Sequence, residues 1–172
     1  QAVVAVKGDQ EQPHLVGYIV AASNKSGEGV SRDPHTTDWQ HRWDKAYATR
    51  SGADHSPARF NTSGWFSSYD GEPIATAAMR EWLDQTIASI KHLDPQRVLE
   101  IGCGTGMLLY ACLEHVEHYT AVDVSAVALE SIQNELTATE RSKVTLLNCA
   151  AEQFDAVPDG SCDVVIINSV AQ

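Results

Sequence analysis

Residues 98–106 read Val-Leu-Glu-Ile-Gly-Cys-Gly-Thr-Gly, an apolar run carrying one acid, Glu100, into a turn with glycine at every second position. A second apolar run, residues 119–123, ends in another acid, Asp123. Glycines after a strand let main chain approach a ligand closely, and an acid closing the next strand can accept hydrogen bonds from ribose hydroxyls. The pair therefore points to a nucleoside cofactor at the carboxyl edge of a parallel sheet. The spacing matters. Dinucleotide sites use G-x-G-x-x-G, whose third glycine brings a helix N-terminus against a pyrophosphate. Here the pattern is E-x-G-x-G-x-G, with the glycines at every second position. Its bland alternative is a glycine-rich strand-to-helix turn that binds nothing.

The elements that must hold these residues alternate between strand and helix after Pro95. Strands are expected over 97–101, 119–123, 143–148 and 162–168, the last apolar enough to be buried on both faces. Between them, Met107, Leu108, Cys112, Leu113 and Val116 mark one helix. Leu129, Ile132 and Leu136 mark another, N-capped by Ser125. Upstream, Met79, Trp82, Leu83, Ile87 and Ile90 line one face of an amphipathic helix over 76–91, which residues 92–95 stop. Trp39, Trp43 and Tyr47 recur at helical spacing and read as an ordinary packing stripe. Residues 60–73 read as loop. Two short β-rich runs, 2–6 and 15–21, predict a hairpin, and residues 22–38 have linker composition.

Composition narrows the function. The 172 residues are 43% apolar, enough for one ordinary core. Twelve Lys and Arg against 23 Asp and Glu leave a net charge of −11, which disfavours nucleic acid as a partner. No apolar run approaches a membrane span and no signal peptide is visible, so the chain reads as cytoplasmic. Cys103, Cys112, Cys149 and Cys162 form no C-x-x-C pair, and no Cys/His set has metal-ligand spacing. Cys112, Cys149 and Cys162 read as small buried hydrophobes, while Cys103 lends its backbone to the glycine loop. The chain opens at Gln1 in mid-pattern and closes just after an apolar strand. It reads as a piece of a larger polypeptide, inactive by itself.

The E-x-G-x-G-x-G loop with Asp123 in register resembles the S-adenosylmethionine (SAM) loop of Rossmann-like methyltransferases. Residues 63–74, Ser-Gly-Trp-Phe-Ser-Ser-Tyr-Asp-Gly-Glu-Pro-Ile, followed by Met79-Arg80-Glu81-Trp82, resemble the stretch upstream of the SAM fold in methyltransferase domains embedded in nonribosomal peptide synthetases. The runs at 2–6 and 15–22 are similar to the small C-terminal subdomain of synthetase adenylation domains, into which such methyltransferases are inserted.

This resemblance implies an α/β, Rossmann-like fold in three parts. Residues 1–23 would be an adenylation fragment, 24–59 a linker with a helical lead-in, and 60–172 the first part of the methyltransferase. It implies SAM-dependent N-methylation of the α-amine of an aminoacyl group. That group would be tethered through phosphopantetheine to a carrier domain of the same polypeptide, which would also hold the adenylation domain. Cofactor contacts are expected from Glu100, Gly102, Cys103, Gly104, Asp123 and Val124, from Ala151 and Glu152 near adenine, and from Tyr69 over the methionyl end. Asn168 would face cofactor and substrate, and no catalytic base is assigned. Many relatives carry Asp where Ala150 stands, so the adenine amino group would rely on backbone groups and Glu152. Rival readings are a carbon- or oxygen-methyltransferase, a catalytically silent SAM-binding domain and an NAD-dependent reductase, the last disfavoured by the glycine register.

Overall fold

The computed structural model describes residues 2–7, 14–19, 34–48, 58–151, 153, 155–168 and 170. The chain divides into two units, Gln1–Ser31 and Arg32–Gln172. In the first, β1 (Ala2–Lys7) pairs antiparallel with β2 (His14–Ile19), from Ala2 opposite Ile19 to Lys7 opposite His14. This is the expected hairpin.

The second unit begins with two helices, α1 (Pro34–Ala48) and α2 (Thr76–His92). Strand and helix then alternate: β3 (Arg97–Ile101), α3 (Met107–Cys112), β4 (His118–Asp123), α4 (Ala126–Glu135), α5 (Ala138–Arg141), β5 (Val144–Asn148) and β6 (Val164–Ile167). The four strands form one parallel sheet in the order β5-β4-β3-β6. Fold class and strand count agree with the expectation. The order has a consequence for binding. The chain steps outward from β3 to β4 to β5, then returns to the far side of β3 with β6. Such a reversal opens a crevice at the carboxyl ends of the strands, and the glycine loop leaves β3 there.

Alternation along the strands divides the core. Val98, Tyr119 and Ala121 pack with Ile87 and Ile90 of α2, Leu108 and Leu109 of α3, and Ile132 of α4. Leu99, Ile101 and Val122 form a smaller cluster with partly buried neighbours. The amphipathic face of α2 behaves as its spacing predicts. Met79, Ile87 and Ile90 are buried, and Trp82 and Leu83 are partly so. Ser125 caps α4, its hydroxyl accepting from the Ala128 N–H at 3.2 Å.

Two expectations need correction. The last strand is shorter than 162–168, and it alternates: Ile166 is buried, whereas Val165 and Ile167 are 51% and 59% exposed. In an edge strand, an apolar run does not by itself ensure burial on both faces; a covering element is also needed. Cys112 is buried as expected, but Cys149 and Cys162 are only partly so, lying near the sheet's less covered face.

The segment over 58–66 is a loop that is firmly held. Arg59 donates to both Glu140 carboxylate oxygens, at 2.7 and 2.8 Å, and lies over the Tyr110 ring. The Asn61 carbonyl accepts from the Thr105 hydroxyl at 2.6 Å. The loop is thereby fastened to the turn that follows β3. No helix among the described residues is long and apolar enough to cross a membrane.

Candidate active site

The turn after β3 takes its shape from backbone that only glycine adopts at little cost. Gly102 and Gly104 have φ of +73° and +52°. Their conformation aims main chain at β4. The N–H groups of Gly102 and Cys103 donate to the Val122 carbonyl at 2.8 and 3.0 Å. Gly104 N–H donates to Asp123 Oδ2 at 2.7 Å, and Ser125 N–H donates to Asp123 Oδ1 at 2.8 Å. Asp123 thus staples the glycine loop to the start of α4. A carboxylate has about four lone-pair positions, so two remain to accept from a ligand. The Asn148 amide fixes the same corner, donating to the carbonyls of Asp123 and Val124 at 3.0 and 2.9 Å.

Glu100 lies on the α2–α3 face of the sheet and is 3% exposed. Tyr119, two positions before its register partner Ala121 and on the same face, donates its hydroxyl to Glu100 Oε2 at 2.8 Å. Burial pushes the Glu100 pKa up to about 8; the Tyr119 hydrogen bond opposes this, and the Asp123 charge reinforces it. Asp123 is also raised, again chiefly by burial, and its backbone donors act in the other direction. Burial likewise raises the Cys103 thiol well above its usual range, so it stays a neutral thiol.

The Glu100 shift has a stability consequence with a definite sign. The folded chain binds more protons than the unfolded chain between pH 4.5 and about 8. Its contribution is therefore complete below pH 4.5 and lost as pH rises through about 8. Melting temperature is expected to fall across that window, and Glu100→Gln, which fixes the neutral state, should flatten the fall. Parallel profiles for both proteins would contradict this.

A cavity of about 460 Å³ opens over the glycine loop, within the range of small-molecule sites. One wall comes from the strand ends: Glu100, Gly102, Cys103, Gly104, Asp123 and Val124, with Ala150, Ala151 and Asn168 further round. Of the residues expected from sequence at the cofactor, eight line this cavity. Tyr69 does not. Its side chain is fully exposed, while its neighbours Phe66 and Ser68 reach the lining. Glu152 lies outside the described residues.

Much of the cavity's remaining lining is aromatic. Trp65 of the loop and Trp82 of α2, whose rings are 4.7 Å apart, line it together with Trp43 and Tyr47 of α1. The helical spacing of Trp43 and Tyr47 was visible in sequence, but it carried no sign of what the stripe would face. The lining suits a sulfonium nucleoside. Main chain and acceptors stand at the strand ends, and aromatic side chains supply apolar surface in the same cavity.

A parallel sheet with its order reversed at β3, a glycine loop there and an acid closing β4 define a Rossmann-like, SAM-dependent methyltransferase domain. Residues 98–172 match the family described as methyltransferase domain. Along nearly its whole length the chain is similar to short regions of nonribosomal peptide synthetases. It is 36% identical to chondramide synthase of Chondromyces crocatus over 95% of its own length, but over only 4% of that protein. It is 33% identical to a beauvericin nonribosomal cyclodepsipeptide synthetase of Gibberella fujikuroi, over 99% of this chain and 6% of that protein. Among solved structures, coclaurine N-methyltransferase bound to N-methylheliamine and SAH aligns with a TM-score of 0.43. The two are 18% identical, over 81% of this chain and 46% of that one.

Proposed function

We propose that this domain N-methylates the α-amine of an aminoacyl group carried as a thioester on a carrier domain of the same synthetase. The observation that best supports it is the cavity at the strand-order reversal, where the Asp123 carboxylate and the backbone of Gly102 and Gly104 face one space. Similarity to peptide synthetases along nearly the whole chain supports the substrate class.

When bound, SAM supplies a methyl group already activated as a sulfonium, whose thioether is the leaving group. The residues here bind and orient. Asp123 accepts from the ribose hydroxyls with its unused lone pairs, and the glycine loop admits the methionyl portion. Glu100 offers a buried carboxyl group to the ammonium and sulfonium end. Val124, Ala151 and, outside the described residues, Glu152 flank adenine. Asn168 faces the acceptor side. The attacking amine must be neutral, and an aromatic wall that excludes water lowers an amine's pKa by desolvation.

The test supplies SAM and an aminoacyl-loaded carrier domain to the intact synthetase and locates the new methyl group by tandem mass spectrometry. Methylation on nitrogen is expected. A methyl group on carbon or oxygen, or SAM binding without transfer, would overturn the acceptor assignment.

A further inference from the structure

Helix α1 lies outside residues 98–172, yet Trp43 and Tyr47 line the cofactor cavity and Asp44 touches the start of α4. Trp43 rests on the loop over 63–66: a Cβ on Gly64 would sit 2.7 Å from its ring, and Gly64 has a φ of +91°. One turn later Tyr47 stacks on Trp43, with centroids 5.5 Å apart and planes 19° from parallel, and reaches the glycine loop. A Cβ on Gly104 would meet the Tyr47 hydroxyl at 3.0 Å. Between these residues Asp44 faces the start of α4, where Asp44 Oδ1 accepts from the Ser125 hydroxyl at 2.5 Å.

The Asp44 contact connects to the site through hydrogen bonds. Ser125 hydroxyl donates to Asp44 and accepts from the Ala128 N–H, so its orientation is fixed. Ser125 N–H in turn holds Asp123 Oδ1, while Gly104 N–H holds Oδ2. A continuous path of hydrogen bonds thus runs from Asp44 through Ser125 and Asp123 to the glycine loop. Tyr47 and Trp43 line the same cavity.

Resting on the SAM reading, we infer that α1 is part of the cofactor site: Tyr47 contacts the cofactor with its hydroxyl above Gly104, and Asp44 is a positioning residue that orients Asp123 through Ser125. The Tyr47 phenol pKa is raised by burial first, then by the Asp123 charge. Burial and the Asp123 charge suffice to keep it protonated, and it serves as a hydrogen-bond donor to a cofactor oxygen.

The experiment measures SAM affinity by calorimetry and melting temperature on the same samples of the intact protein. Tyr47→Phe keeps the ring and its stacking, and is expected to weaken SAM binding by about five- to tenfold with melting unchanged. Asp44→Ala should weaken it by about tenfold. Asp44→Asn, whose amide oxygen can still accept from Ser125, should bind within about twofold of the wild type. His41→Ala, on an exposed position of α1, serves as the control. Wild-type affinity in both Tyr47→Phe and Asp44→Ala would overturn the role of α1 and leave the cofactor reading intact. Asp44→Asn as weak as Asp44→Ala would overturn the path through Ser125. A folded wild-type protein that does not bind SAM would overturn the cofactor reading, and this inference with it. Should Asp44→Ala fail to fold, Tyr47→Phe carries the test, because its packing is conserved.

Discussion

Asp123→Ala is expected to reduce SAM affinity by about 1.5–3 kcal/mol and to lower folding stability by about 1–3 kcal/mol. The first loss follows from removing the acceptor for the ribose hydroxyls. The second comes from the structural bonds, because the same carboxylate accepts from Gly104 N–H at 2.7 Å and Ser125 N–H at 2.8 Å. Without it, two donors at the joint between the glycine loop and α4 lose their partner. Part of that cost is offset, since a carboxylate raised by burial no longer has to be desolvated. Asp123→Asn sharpens the test. Its one oxygen can satisfy one of the two N–H groups, while its NH2 group meets the other as donor against donor. Asn should therefore recover only part of the stability. Calorimetric titration with SAM and thermal melts of both variants would check this. Unchanged affinity in Asp123→Ala would remove the ribose assignment; unchanged stability would remove the staple.

Gly104→Val is expected to abolish methyl transfer. The backbone at Gly104 has a φ of +52°, where a β-branched residue is strained by about 1–2 kcal/mol. Its Cβ would stand 3.0 Å from the Tyr47 hydroxyl, so the branching methyl groups have only the cavity or that ring to enter. Either route fills space that the cofactor needs. Gly104→Ala separates strain from obstruction: it bears the positive φ and the close hydroxyl but carries no branch, and should retain weakened SAM binding. Full affinity in the valine variant would show that no ligand passes over this turn.

The central machinery was legible because it is local. An acid, alternating glycines and a terminal Asp lie within consecutive strand–turn segments, and the backbone around Gly102 and Gly104 adopts the positive φ that such a turn demands. Strand patterning likewise predicted four parallel strands, and Ser125 before an apolar helical face predicted its cap. Side chains that act across long sequence separations were not legible in this way. Tyr119 read as one more apolar residue of β4, and only sheet register brings its hydroxyl to Glu100. Tyr69 sat in a distinctive motif, yet motif membership says nothing of which way a loop side chain turns, and it is fully exposed.

The amino-acid sequence alone determined the kind of ligand edge this protein builds, since glycine conformations and an acid closing a strand are properties of a few neighbouring residues. The tertiary structure decided what closes that edge. Trp43 and Tyr47 are distant in sequence from Gly104, and their spacing fits a packing stripe as well as a cavity wall. Packing α1 against α4 and the loop over 63–66 turns the stripe toward the glycine turn. Helical periodicity determines which residues share a face, whereas long-range contacts determine what that face meets.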